Sequence, residues 1–333
     1  MLAKLLAERR WLLADGATGT NLFDMGLTSG DAPELWLEAH PDRITALHQS
    51  FVDAGADIIL TNSFGCNARR LALHGLEKRT RELNTIAARL ARSVADKAGR
   101  TVVVAGSVGP TGDLFAPLGE LTAAAAVSVF IEQIEGLQAG GADVIWIETM
   151  SAIEEIGAAA TAAQKCAMPY VTTASFDTAG HTMMGVPPAG LPAFTATLVP
   201  PPLAIGSNCG VGASDLLVSV LVMTKANPDL VVVAKGNCGI PVVKGEHVHY
   251  SGTPELMADY VRLAVDAGAR IIGGCCGTSP AHLAAMRRAL DAHTQRLRPT
   301  IETIVAATGP ILSPPSSSTA PKRENRRNRS LKS

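Results

Sequence analysis

Aromatic residues are scarce in this chain: three Trp, three Tyr and seven Phe in 333 residues. Long apolar runs are missing too. Hydrophobic residues make up 47% of the sequence, yet no stretch reaches the roughly 18 residues a membrane-spanning helix requires. The opening Met1–Arg10 segment is too short and too charged for a secretory signal, so the cytoplasm is the expected compartment. Six cysteines in a chain of this length do not form a disulfide framework. In a reducing compartment such residues are metal ligands, catalytic groups or small core residues. Nor does one sign of charge dominate. The net charge is −1, but Lys322, Arg323, Arg326, Arg327, Arg329 and Lys332 against Glu324 place about +5 at the very end, leaving about −6 elsewhere. That mildly acidic body offers no basic footprint for nucleic acid. Neither nucleic acid nor a membrane is an expected partner.

What the chain does have is repetition. Eight short, continuous apolar runs, the pattern of buried parallel strands, fall at Trp11–Asp15, Asp57–Asn62, Thr101–Ser107, Asp143–Glu148, Tyr170–Ser175, Leu203–Asn208, Leu230–Lys235 and Arg270–Gly274. Amphipathic stretches separate them, at Pro41–Ala54, Asn67–Ala98, Thr122–Ala139, Ala152–Lys165, Ala213–Lys225, Pro254–Ala267 and Pro280–His293; the fifth connection, around Pro188–Leu198, is weak. Thr253 before Pro254 and Ser279 before Pro280 read as N-caps followed by proline in the first turn. Gly55, Gly141 and Gly268 each stand two residues before a run, where a helix C-cap belongs. Strict alternation implies a parallel sheet, and eight units imply closure into a (β/α)₈ TIM barrel of the α/β class. An open doubly wound sheet is the rival, but no Gly-x-Gly-x-x-Gly follows the first run. The barrel is expected over residues 1–297. Residues 298–333, with the low-complexity run Ser313–Pro321, read as a basic, disordered tail.

In such barrels the chemistry sits at the C-terminal ends of the strands. Those ends deliver Asp15-Gly-Ala-Thr-Gly-Thr20, Thr61-Asn-Ser-Phe64, Gly106-Ser-Val-Gly-Pro110, Glu148-Thr149, Asn208-Cys209-Gly210, Gly236-Asn-Cys-Gly239 and Gly273-Gly-Cys-Cys-Gly277. Four cysteines therefore share one rim. Zinc favours three or four soft ligands in a tetrahedron, and a catalytic site leaves one position open. Spacing alone leaves zinc, packing and a redox pair open, since Cys275 and Cys276 as strand neighbours would face opposite sides unless a turn redirects one. Cys66, Cys166 and Cys238 read as packing residues.

Taken together, the motifs from Asp15-Gly-Ala-Thr-Gly-Thr20 to Gly273-Gly-Cys-Cys-Gly277 resemble the homocysteine S-methyltransferase family over roughly residues 10–293. The resemblance implies Zn2+ held by Cys209, Cys275 and Cys276, which also makes them the catalytic centre. It implies that Asp15 and Glu148 hold the amino group of homocysteine and that the Gly16, Ala17 and Thr18 backbone lines the same pocket. Asn237 matches a family residue beside the metal. A zinc-bound homocysteine thiolate would attack a methyl group in line.

For the donor, Leu22-Phe-Asp-Met-Gly-Leu27, Lys235-Gly-Asn-Cys-Gly-Ile-Pro241 and Tyr250-Ser-Gly-Thr-Pro-Glu-Leu-Met-Ala-Asp-Tyr260 are similar to bacterial betaine–homocysteine methyltransferases. Glycine betaine is therefore the expected donor, giving methionine and dimethylglycine. No stretch of these residues reads as a cobalamin or folate module. The animal betaine enzymes carry tyrosines where this chain has Gly65 and Thr149. Quaternary ammonium groups favour aromatic faces, so Phe64 or Trp36 is expected to replace them, with Phe115 and Tyr250 as further candidates. The alternatives are S-methylmethionine or a corrinoid donor and, more remotely, a thiol-redox or zinc-binding protein.

Overall fold

Each of the eight apolar runs is a strand, and the strands lie parallel in one sheet. The computed structural model describes residues 1–28, 30–244 and 247–313. In chain order the strands are β1 (Leu12–Leu13), β2 (Ile58–Leu60), β3 (Val103–Val108), β4 (Val144–Met150), β5 (Tyr170–Ala174), β6 (Ala204–Cys209), β7 (Val232–Gly236), β8 (Pro241–Lys244), β9 (His247–Tyr250) and β10 (Ala269–Gly274). Strands β8 and β9 form a separate antiparallel hairpin, which the eight-run pattern does not predict. The other eight run in the order β1-β10-β7-β6-β5-β4-β3-β2, and a parallel bridge from Ala14 to Ile58 joins the two ends. The sheet is thus a closed (β/α)₈ barrel.

The helices are α1 (Leu2–Glu8), α2 (Gly19–Asp24), α3 (Trp36–Ala39), α4 (Pro41–Asp53), α5 (Ala68–Leu71), α6 (Thr80–Ala95), α7 (Ala123–Ala139), α8 (Ile153–Lys165), α9 (Gly190–Thr195), α10 (Ala213–Ala226), α11 (Pro254–Asp266), α12 (Pro280–Asp291) and α13 (Ile301–Thr308). Their caps follow the sequence. The Thr253 hydroxyl accepts from Leu256 N, and Ser279 forms a capping box with His282. Gly55, Gly141 and Gly268 all adopt positive φ, where a Cβ would be strained. The expected helix Asn67–Ala98 is in fact two: Gly75 (φ 69) breaks it between α5 and α6. No helix among the described residues is long and apolar enough to cross a membrane.

The core has two layers, as strand alternation requires. Leu12, Ile58, Val103, Val144, Trp146, Val171, Val233 and Ile271 fill the barrel interior, and Leu2 and Leu5 of α1 plug its N-terminal end. The alternate strand residues pack outward against the helices. Below β1 and β2 the buried Asp57 carboxylate accepts Leu13 N–H and pairs with Arg9, Arg100 and Arg287.

The expected boundary at residue 297 falls too early. Helix α13 packs on α10 and α11, with Ile304 fully buried and Thr308 bonded to Ser214. Asp215 then accepts the N–H groups of Leu312 and Ser313. Thr300 caps this helix, a signal masked by the prolines around it. The remaining expected tail, 314–333, lies outside the described residues.

Candidate active site

Strand β6 ends in Cys209 at φ 59, a left-handed conformation that a non-glycine residue adopts only under local constraint. Gly210 continues the turn at φ 80. Strand β10 stops at Gly274, and the chain turns at once, with Thr278 N donating to Cys275 O and Gly277 at φ 78. This turn brings Cys275 and Cys276 to the same side. The sulfur atoms of Cys209, Cys275 and Cys276 all lie within 4.8 Å of one another, with Cys209 and Cys276 at 3.9 Å. Cys66, Cys166 and Cys238 stand apart from this cluster.

Asn237 sits between the two cysteine loops. Its amide donates to Gly210 O at 2.7 Å and accepts from Cys276 N at 3.1 Å. Both ends of the side chain are used, so Asn237 aligns the cysteines rather than lining the cavity. Tyr250, carried by the β8–β9 hairpin, packs beside Gly277, where a Cβ would come within 2.4 Å of its own.

Packed against one another, the three thiols favour their protons. Hydrogen bonding with Cys275 raises Cys209, and hydrogen bonding with Cys209 pushes Cys276 up to about 12. Cys275 gains from its bond to Cys209, but sharing with Cys276 and burial outweigh this and raise it. Three crowded sulfurs that resist ionisation together, with the next residues held by Asn237, are a donor set that fits a divalent soft cation.

Glu148 closes the floor of the same cavity. It is 7% exposed, and the Ser107 hydroxyl donates to Oε1. Burial raises its pKa, opposed by the Lys235 charge and the Ser107 bond. The following residue, Thr149, is also left-handed at φ 59. Buried Asn208 holds it there, accepting Thr149 N–H at 2.8 Å and donating to Thr149 Oγ1 at 2.7 Å. Nothing local in the sequence announces this brace, which spans 59 residues.

Asp15 has a partner that the sequence does not announce. Its Oδ1 lies 2.8 Å from Lys235 Nζ and its Oδ2 accepts Leu60 N–H at 2.7 Å. Both side chains of the pair are 2% exposed. Burial opposes the lysine charge, but Asp15 and Glu148 outweigh it and hold the ammonium above the usual lysine range. Gly273 makes room for the lysine stem, since a Cβ there would meet Lys235 Cγ at 3.0 Å. Asp15 thus lies under the floor with both oxygens engaged, while Lys235 lines the cavity. Lys235 closes an apolar run, and only the fold reveals that its charge is internal.

The cavity is about 550 Å³ and extends from the cysteines to the rim. Gly16, Ala17, Thr18 and Phe64 line it. Trp36 does not. Its ring is packed edge-on against His40 at 4.7 Å, with Arg43 over it at 4.9 Å. Phe115 lines a different, smaller hollow. Phe23, unremarked in the sequence, joins Phe64 at the cavity.

A family model described as homocysteine S-methyltransferase matches residues 12–290, from the first strand of the barrel to the last turn of α12. The chain belongs to the homocysteine S-methyltransferase family. Among relatives, methionine synthase of Mycobacterium tuberculosis is 30% identical over 295 residues, and that of Mycobacterium leprae 28% over 299. These cover 83% and 85% of this chain. The chain spans about a quarter of the length of either relative, 24% in each case. The Escherichia coli homocysteine methyltransferase MmuM is similar in structure. Its oxidised form superposes with a TM-score of 0.73 at 28% identity, covering 86% of this chain and 98% of MmuM. Its metallated form gives 0.72 at 27%, covering 86% and 99%. Helix α13 lies beyond the segment that the homocysteine S-methyltransferase model matches.

Proposed function

We propose that this protein transfers a methyl group from a small zwitterionic donor, glycine betaine first, to the sulfur of homocysteine, giving methionine and dimethylglycine. The observation that carries the reading is the convergence of Cys209, Cys275 and Cys276 with Glu148 on one cavity. Family membership, the MmuM likeness and the name of the mycobacterial relatives support the acceptor and the product. Similarity of three segments to bacterial betaine enzymes supports the donor.

Cys209, Cys275 and Cys276 would hold zinc, a Lewis acid that supplies what a free thiol of pKa about 8.5 lacks at neutral pH, a ready thiolate. Glu148 binds the substrate ammonium, with Ser107 fixing the direction of the carboxylate. The Gly16–Thr18 backbone forms the adjacent wall. Lys235 keeps a positive charge at the cavity wall and so offsets the negative charge that thiolates and carboxylates gather there. Phe23, Phe64 and Leu60 give the cavity an apolar lining. An apolar lining favours transfer, because thiolate and onium charges cancel as the C–S bond forms and the C–N bond breaks, its electrons leaving with the amine.

The test is a donor screen on purified, zinc-loaded protein with homocysteine as acceptor and methionine as the measured product. Betaine, dimethylsulfoniopropionate, S-methylmethionine and methylcobalamin are supplied side by side. Methionine from betaine without cobalamin is expected. Methionine formed only from methylcobalamin would replace the donor and leave the acceptor site standing.

A further inference from the structure

The cavity mouth carries charges that the methyl acceptor does not use. The Pro33–Leu35 turn is tied to the end of β2, where the Asn62 amide donates to Pro33 O at 2.9 Å. This turn directs Glu34 into the cavity wall, where it is only 5% exposed. Its Oε1 accepts Gly65 N–H at 2.8 Å, and Oε2 has no hydrogen-bond partner among the described residues. Gly65 makes this seat, since a Cβ there would stand 2.9 Å from Oε1. Phe64 lies alongside, its ring against Gly109, where a Cβ would come within 2.6 Å. A buried carboxylate and an aromatic ring are therefore neighbours on one wall. A carboxylate so buried is costly in its ionised form unless a cation comes to it. Burial accordingly raises the Glu34 pKa, against the pull of its backbone bonds and of Arg70 and His74.

Arg70 lines the same cavity on the solvent side, one turn along from Gly65 on α5. Its guanidinium forms no ion pair or hydrogen bond among the described residues, while its backbone N–H donates to Asn67 Oδ1. A buried carboxylate and an exposed guanidinium on one wall match a molecule carrying both charges.

We infer that Glu34 and Arg70 form a clamp for the methyl donor, the carboxylate of Glu34 taking the methylated onium head and the guanidinium of Arg70 the donor carboxylate. This rests on the reading of the cavity as a methyltransferase site and deepens it. The clamp selects small zwitterionic ammonium or sulfonium compounds. It points the onium inward and the donor carboxylate toward solvent. Phe64 adds an aromatic face to the onium, so the recognition is shared between one ring and one carboxylate instead of a cage of rings.

The experiment uses the full chain, zinc-loaded, with Glu34→Gln and Arg70→Gln. The amide oxygen introduced by Glu34→Gln still accepts the Gly65 N–H, and Arg70 is exposed, so both variants should melt with the parent. Betaine affinity is measured twice, as KM in turnover and as Kd by calorimetry without homocysteine. Choline, which keeps the onium and lacks the carboxylate, serves as a competitive probe. Loss of one charge-assisted contact corresponds to about ten- to a hundred-fold weaker binding. Glu34→Gln should weaken betaine and choline alike by that factor. Arg70→Gln should weaken betaine and leave choline unchanged. Homocysteine KM should hold in both. Unchanged betaine affinity in Glu34→Gln, with the parent active on betaine, would overturn the clamp and spare the donor assignment. If the parent turns over no onium donor, the donor assignment fails, and calorimetry decides the clamp: betaine binding lost in Glu34→Gln supports it, and no betaine binding by the parent overturns it.

Discussion

Replacing Lys235 by methionine tests the buried pair directly, because it keeps an unbranched apolar stem of similar bulk and removes the ammonium with its hydrogen bonds to Asp15. Asp15 would then remain 1% exposed with the Leu60 N–H as its sole strong partner. Breaking a buried ion pair from one side costs about 3–5 kcal/mol, since it strands the other charge. For a domain of this size that is a melting temperature roughly 4–7 °C lower. Adding Asp15→Asn removes the stranded charge, so the double variant should recover about 1–3 kcal/mol over Lys235→Met alone. Thermal melts and urea titrations of the parent, both single variants and the double variant close the cycle. Steady-state kinetics supplies the functional half. Both oxygens of Asp15 are already engaged, so Asp15→Asn should act on stability and change homocysteine KM little. Glu148→Gln should do the reverse, raising homocysteine KM by about ten- to a hundred-fold. The reasoning is refuted if Asp15→Asn raises homocysteine KM as far as Glu148→Gln while its melting temperature stays with the parent. Asp15 would then serve the substrate and not Lys235.

Further outcomes concern the metal, the pH dependence and the C-terminus. Purified protein should hold about one zinc per chain, measured by atomic absorption; Cys209→Ala, Cys275→Ala or Cys276→Ala should release it and abolish methionine formation, whereas Cys66→Ala and Cys166→Ala should do neither. Burial lowers the His48 pKa to about 4, and Nε2 has no partner; the folded state thus binds fewer protons than the unfolded chain, and this part of the stability is full above about pH 6.5 and lost as pH falls toward 4. The difference between the urea stabilities of the parent and of His48→Gln should shrink by about 3 kcal/mol across that window, and a pH-independent difference would show that His48 is charged inside. Truncation after Ser313 should leave the melting temperature unchanged, while truncation after Arg298 should lower it by several degrees, because burial of Ile304 is worth about 1.5–3 kcal/mol; equal melting of both would show that α13 contributes nothing.

Much of the barrel was legible because its strands are buried on both faces and so read as unbroken apolar runs. The three glycines at helix C-caps and the Thr253 and Ser279 caps are equally local, and local signals survive in sequence. The cysteine cluster was legible as a rim of strand ends. Its actual geometry was not, since it depends on a turn after Gly274 and on Asn237 reaching two loops. The Asp15–Lys235 pair joins positions 220 residues apart, and no periodicity carries such a contact. Gly75 was outvoted by the amphipathic pattern around it, though its φ ends the helix. Helix α13 is a single buried stripe in a proline- and serine-rich setting, so composition spoke louder than Thr300 and Ile304. Trp36 was a reasonable aromatic candidate from type alone; its packing against His40 and Arg43 removes it.

The seam where the barrel closes has a consequence for how the molecule breathes. Strand β1 has only two residues, and between it and β2 two backbone bonds, Asp57 N to Leu13 O and Asp15 N to Ile58 O, are matched by two carboxylate bonds, Leu13 N to Asp57 and Leu60 N to Asp15. The ring is therefore stitched at its base by Asp57 and at its top by the residue that anchors Lys235. Local opening of the wall and loosening of the active-site floor are coupled, because one carboxylate carries both the upper stitch, through Oδ2, and the lysine, through Oδ1. Amide exchange at Leu13 and Leu60 then reports on the site itself: ligands that steady the floor slow exchange at the seam, and the cleft acts as the lock on its own container.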